Sequence, residues 1–405
     1  MKRYILTAAI LAVSTAMFAQ DNVSQKYRRS SLYQLMINHR EQKYADDIQE
    51  VFMQMPVSEH FNDHDLSVKV IDMSKKLKGA GSDEENAIVS KWLTDNQIAS
   101  RMVAKWFNRD YFTGKCDMEL VKERGLYNAS AFDKAVASRS VRGKAMLEDA
   151  GEDLIGNTFV IVNDIRYIDK EKTSKAIGTG LRMLGAFSRA FTGVDVSKLA
   201  DNLADISESL KGFKVKINTY LYKLEWDNEV AANFYSTQYG VNDKTPGKEA
   251  FEKARGNYKL KYVGKQESSG STTSFMGVKL DTPTAMVRKA CQRAVDENVA
   301  SLQHEYEEFR TKSPLISADP ITAAIGLKEG ISEKSQFEVL EVVEKENGTV
   351  EYRQVGIIQP IKSLIWDNRY MASEEGAPNA NLGFTTFKKV KGGDIYPGML
   401  IRETK

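Results

Sequence analysis

The spacing of apolar positions along the chain predicts helices first and strands later. Leu32, Leu35 and Met36 recur at helical spacing, as do Ala45, Ile48, Val51 and Phe52 in the next segment, which Met55-Pro56 ends. A polar loop, 58–65, leads to the ambiguous apolar run Leu66, Val68, Val70 and Ile71. Ser82-Asp83-Glu84-Glu85 is a capping-box pattern, in which Ser82 accepts from the backbone near Glu85 and the Glu85 side chain reaches back. Behind it Ile88, Trp92, Ala99, Val103 and Trp106 line one helical face. Residues 21–112 therefore read as a mainly helical region.

The middle of the chain, 113–315, alternates. A helix is expected over about 130–149, a buried strand over 157–168 and a long helical stretch over roughly 173–209. Phe213, Val215 and Ile217 alternate with Lys214 and Lys216, the pattern of a half-buried strand. Trp226-Asp-Asn-Glu229 reads as a hairpin turn with a return strand at 229–238. Thr245-Pro246 starts a short helix. Strands near 257–264 and 272–280 are expected to flank a Ser/Gly loop at 268–271. A long helix opens at Asp281-Thr-Pro283 with the stripe Val287, Cys291, Ala294, Val295, Leu302, Tyr306 and Phe309, and Ser313-Pro314 stops it. The expected fold is α+β, a mixed or antiparallel sheet with helices covering one face. A linker at 316–330 then leads to an all-β region at 331–405. There 336–343, 350–358, 361–366, 384–390 and 399–402 read as short strands, with Asn347-Gly348 as a tight hairpin turn. Such a region suggests an SH3-like barrel.

The first 20 residues alter the picture of location. Lys2 and Arg3 precede an apolar run over 4–13, then small residues and Ala19-Gln20: a secretory signal peptide, too short to span a bilayer as an anchor. The chain is expected to be exported, and periplasmic or associated with the outer membrane. Its 405 residues carry a net charge of only +2, with Lys and Arg spread evenly, which argues against nucleic acid as a partner. Cys116 and Cys291 make no disulfide framework. One long-range bridge is conceivable, but Cys291 falls on a helical apolar stripe, which favours a buried thiol.

Candidate chemistry is sparse. His60 and His64 stand four apart among Glu59, Asp63 and Asp65, a spacing that on a helix would place both imidazoles on one face for zinc. A third ligand is not evident, so a solvated capping cluster is the blander reading. Gly178-Thr-Gly180 with Gly185 departs from dinucleotide-loop spacing, and no nucleophile elbow or phosphate-loop lysine occurs. No cofactor and no catalytic residue are assigned. Trp226, Tyr235, Tyr239 and Trp366 suit a sugar platform less well than packing. The segment 175–193 combines Leu181, Leu184, Phe187 and Phe191 with Arg182 and Arg189: an amphipathic basic helix that would contact a partner groove or membrane surface, or else cover the sheet.

Four stretches, Arg29-Ser-Ser-Leu-Tyr33, Asn62-Asp-His-Asp-Leu-Ser-Val-Lys69, Asn157-Thr-Phe-Val-Ile-Val-Asn-Asp164 and Ile365-Trp-Asp-Asn368, resemble a family of uncharacterised exported proteins of Bacteroidetes. That resemblance brings no activity and no site residues. The layout is similar to that of envelope-assembly proteins of the curli-secretion and flagellar-assembly-T kind, an analogy of architecture alone. Together these readings imply a non-catalytic envelope scaffold with a protein partner. The alternative is a secreted or periplasmic hydrolase of glycans or peptides.

Overall fold

A computed structural model describes residues 30–127, 151–168, 213–240, 247–271, 283–344 and 350–404. The fold is α+β, with one mixed sheet and one closed, six-stranded antiparallel barrel in the C-terminal region.

The sheet is built around β1 (Ser30–Ile37) and β4 (Thr158–Tyr167), which run parallel with Ile37 opposite Asp164. The short strands β2 (Phe61–Asp63) and β3 (Val70–Ile71) pair in parallel with successive parts of the other edge of β1. Beyond β4 the sheet turns antiparallel through β5 (Lys214–Leu224) and β6 (Leu260–Ser271).

Every residue of β1 is buried. Its alternate side chains enter two separate cores, as a strand's period of two requires. Tyr33, Leu35 and Ile37 join Val160, Val162, Tyr220 and Tyr222 on one face. That face is covered by α3 (Ser82–Asp95), α4 (Ile98–Trp106), α5 (Glu119–Tyr127), α6 (Asn228–Asn233) and α7 (Gly247–Ala254), with α2 (Ser74–Leu77) at its margin. Leu32, Met36, Phe159, Ile161 and Leu221 face the other way, against α1 (Ala45–Gln54) and α8 (Pro283–Glu305). The sheet is thus covered on both faces, not on one.

Leu32, Leu35 and Met36 accordingly belong to a strand rather than a helix. A strand buried on both sides has no polar face to reveal its alternation, so its apolar residues fell into a helical spacing. The return strand expected at 229–238 is instead α6 followed by a π-helical turn, 234–238. Asp227 caps it by accepting from the backbone N–H groups of Glu229 and Val230 at 3.0 and 2.9 Å. The expected Ser/Gly loop at 268–271 is the end of the single long strand β6. There Gly270 is required, because any Cβ would overlap the Ala290 carbonyl of α8. Helices expected at 130–149 and 173–209 lie outside the described residues.

The barrel closes in the order β10-β11-β8-β7-β12-β9. Its strands are β7 (Ser313–Ala318), β8 (Ile321–Ala323), β9 (Phe337–Glu344), β10 (Val350–Pro360), β11 (Thr385–Gly392) and β12 (Leu400–Glu403). The segment 316–330 is therefore not a linker, since β7 and β8 are barrel staves. Conversely, 361–366 is a 3-10 turn rather than a strand. Leu315, Ile321, Val339, Ile358, Phe387 and Ile401 fill the interior.

Candidate functional site

Two polar assemblies stand out, one at the end of the parallel strands and one between sheet and barrel. The first begins where β1 ends. His39 directs Nε2 at Asp164 Oδ1 of β4, while its Nδ1 lies 3.4 Å from Glu41 Oε1. Each ring nitrogen of His39 thus faces a carboxylate oxygen. The other Asp164 oxygen lies 2.5 Å from Arg166 Nη2. Arg166 reaches on to Glu85 Oε1 at 3.0 Å, and Tyr220 donates to Glu85 Oε2 at 2.6 Å, with Lys265 Nζ 3.3 Å from the same oxygen. Burial works to raise the Asp164 carboxyl, but the bonds and charges of His39 and Arg166 outweigh it and hold it below its usual range. Burial likewise opposes ionisation of Glu85, and the bonds from Tyr220, Arg166 and Lys265 prevail. The chain of charges ties β1, β4, β5 and β6 to the start of α3.

The second assembly lies along α8. The positions of α8 that face the sheet, Val287, Cys291, Ala294, Val295 and Leu302, are buried among apolar neighbours. Asn298 on the same face donates to Thr219 Oγ1 at 2.9 Å and to the Ile217 carbonyl. A second stripe, Lys289, Arg293, Asp296, Ala300 and His304, follows the spacing of three to four residues that shares a helical face and meets the barrel. Lys289 pairs with Glu375. Arg293 donates to the Tyr370 carbonyl at 2.7 Å and to Glu375 at 2.7 Å. His304 Nε2 lies 3.3 Å from Glu403 of β12. Burial, then the charges of Arg293 and Arg369, push Lys289 down to about 8.

The β2 edge contributes to the same seam. His60 Nε2 lies 3.2 Å from Glu329 Oε1 in the turn after β8, and Glu329 Oε2 accepts from Asn368 Nδ2 and the Gly326 N–H, each at 2.7 Å. Burial disfavours the Glu329 carboxylate, yet His60, Asn368 and the backbone bond hold it below its usual range. Its neighbour Asp296 is raised to about 6, by burial and by the Glu329 charge, against the pull of Lys328 and Gln292.

The histidine pair singled out from sequence is therefore divided. His60 and His64 flank an extended strand, where four residues span ~13 Å, and each has its own partner. His64 is fully buried. Its Nε2 lies 3.0 Å from the Met102 carbonyl and its Nδ1 2.9 Å from Arg124 Nη1. Burial and the Arg124 charge keep the ring neutral. Its Nε2 therefore donates to the carbonyl and its Nδ1 accepts from Arg124. The Arg124 guanidinium lies 4.3 Å from the Trp106 ring centre. Among the described residues no group of three or more His, Cys, Asp or Glu is placed to hold a metal ion.

Cys116 and Cys291 are both buried free thiols on opposite faces of the sheet. Trp226, Tyr235 and Tyr239 pack around Phe107 and Phe234 instead of forming an open platform. Trp366 donates Nε1 to the Ala380 carbonyl at 3.0 Å. Leu181, Arg182, Leu184, Phe187, Arg189 and Phe191 lie outside the described residues. The seam itself was not foreseen. Its signal was the second stripe of α8, which reads as an ordinary solvated face. Among the described residues no helix is long and apolar enough to cross a membrane. No family model matches the chain, and no curated protein matches its sequence.

Proposed function

We propose that the protein is an exported, non-catalytic scaffold of a bacterial cell envelope, working in the periplasm or at the outer membrane. In this reading its three-layer α+β body carries an SH3-like barrel in a fixed orientation for a protein partner. The observation that carries the reading is the seam. Side chains of α8 and the β2 edge are committed to ion pairs and hydrogen bonds with the barrel, so the barrel is held as a rigid part of the body. In the same way His39, Asp164 and Glu85 are spent on each other and on their neighbours. A signal-peptide pattern at residues 1–20 and the resemblance to exported proteins of Bacteroidetes support the location. The basic amphipathic segment 175–193 supplies a partner or membrane-surface contact through Leu184 and Phe187.

The test is crosslinking in the producing cell, followed by fractionation and mapping of crosslinked peptides, comparing wild type with Leu184→Asp/Phe187→Asp. Envelope location with reproducible crosslinks to another protein is the expected result. A cytoplasmic, uncrosslinked protein overturns the reading. Crosslinks indifferent to the double substitution, in a variant that melts like wild type, overturn the role given to 175–193.

A further inference from the structure

The barrel has a basic side that neither the seam nor the sheet uses. Lys334, Lys362 and Lys388 line a cleft of about 350 Å³ together with Glu333, Gln359, Pro360 and Ile361. Glu333 neutralises Lys362 at 2.8 Å, leaving Lys334 and Lys388 as excess charge. Lys388 opens the half of β11 in which Lys388, Lys389, Val390 and Lys391 are all exposed.

That half is also an open strand edge. β8 pairs with β11 only at residues 385–387, whereas β10 pairs with it as far as Gly392. Among the described residues no strand pairs with 388–392 on the side away from β10. Backbone groups on such an edge can pair with an added strand. Val390 is the extra residue of a bulge opposite Ile357 and Ile358, and it is 48 % exposed. Lysines on an edge can serve only to repel strand addition. Here, however, they continue into a cleft lined by Pro360 and Ile361 as well as by lysines, a combination that repulsion does not require.

We propose that this edge and cleft bind an extended acidic peptide segment of a partner protein, which adds alongside β11 residues 388–392 and places a carboxylate side chain between Lys334 and Lys388. The inference deepens the scaffold reading and rests on it. Carboxylates suit the spaced lysine charges, and an extended backbone suits the unpaired edge.

The test is a titration of the purified chain, lacking residues 1–20, with a labelled peptide alternating Glu with Val and Thr. The same peptide with Lys for Glu is the control, and binding is read by fluorescence anisotropy at low and high salt. Wild type should bind the acidic peptide only, more weakly at high salt. Lys334→Glu/Lys362→Glu/Lys388→Glu should lose about tenfold or more of the affinity. Its exposed positions leave the fold intact, which a thermal melt checks. Hydrogen exchange at 388–392 should slow on binding in wild type. No binding by wild type, equal binding by the variant, or exchange at 388–392 unchanged by bound peptide each overturns the proposal. Binding of inorganic polyphosphate in place of the peptide overturns it in favour of a phosphate site. Failure here alongside persistent crosslinks in the cell would leave the scaffold reading standing and move its contact elsewhere.

Discussion

Asp164→Asn is the sharpest perturbation of the charge chain at the end of β1. The wild-type carboxyl is buried, with the His39 ring on one oxygen and the Arg166 cation at 2.5 Å on the other. Removing one partner of a buried ion pair costs about 3–5 kcal/mol, because a charge is left without compensation. Two features reduce that. Arg166 keeps Glu85 at 3.0 Å and is about a third exposed, and an imidazole, unlike a guanidinium, can become neutral. The expected loss is therefore about 2–3 kcal/mol at pH 7. Urea unfolding followed by tryptophan fluorescence measures it well, since three of the four tryptophans, Trp92, Trp106 and Trp226, sit in the sheet-bearing body. The pH dependence supplies an internal check. The folded Asp164 carboxyl lies below its ordinary 3.8. Its contribution is thus fully present above that value and is lost as pH falls through the lowered folded value. The gap between wild type and variant should narrow on acidification. A loss under about 1 kcal/mol, or a gap that is constant from neutral to acid pH, would refute the argument and mark the pair as no stronger than a surface contact.

Three further outcomes follow from other parts of the fold. Gly270→Ala drives a Cβ into the Ala290 carbonyl and should cost about 1–3 kcal/mol as α8 is pushed off β6, visible as a lower melting temperature and faster amide exchange in both elements. Asp296→Asn should raise stability by up to about 3 kcal/mol at pH 7. The wild-type carboxyl titrates near 6 in the fold against 3.8 ordinarily, so its contribution holds at low pH and is lost as pH rises through 6; melts at pH 4 should then show no gain, and a gain equal at both values would contradict the assignment. Asp227→Ala removes the side chain that accepts from Glu229 and Val230 and should cost about 1 kcal/mol, measured by urea unfolding.

What the sequence revealed follows how one-sided each element is. The barrel strands β9, β11 and β12 and the helix α1 carry one apolar face and are legible to within a residue or two, and so is the start of α8; α8 itself ends at Glu305, about two turns before the Ser313-Pro314 stop, with Phe309 in a 3-10 turn beyond it. β1 is not legible, because both its faces are buried and its apolar residues no longer mark a single side. The span 316–330 reads as a linker because Pro320, Gly326 and Gly330 punctuate it, yet it holds part of β7 and all of β8; prolines sit comfortably at strand starts and turns, and Pro314 is a paired residue of β7 opposite Leu400. Trp-Asp-Asn occurs at 226–228 and again at 366–368, and both copies use the same turn chemistry. Asp227 and Asp367 each accept from the backbone N–H two residues on. His39 and Asp164 stand 125 residues apart, and only the parallel register of β1 and β4 brings them together.

The helix α8 explains both the architecture and the difficulty of reading it. Its apolar stripe satisfies the sheet, and a helix with one apolar stripe ordinarily gives its remaining faces to water. Here a second face is given to the barrel, through charges rather than hydrocarbons. Such a seam holds orientation more than it adds net stability, because desolvating Lys289, Arg293 and Glu329 offsets much of what their pairs return. Orientation is what the proposed scaffold role would require. A barrel joined by an apolar face could slide or rotate between similar packings, whereas Arg293 on the Tyr370 carbonyl and His60 on Glu329 fix one register at two separated points. It follows that replacing a seam pair with apolar residues of similar volume should change the freedom of the barrel more than the melting temperature of the chain.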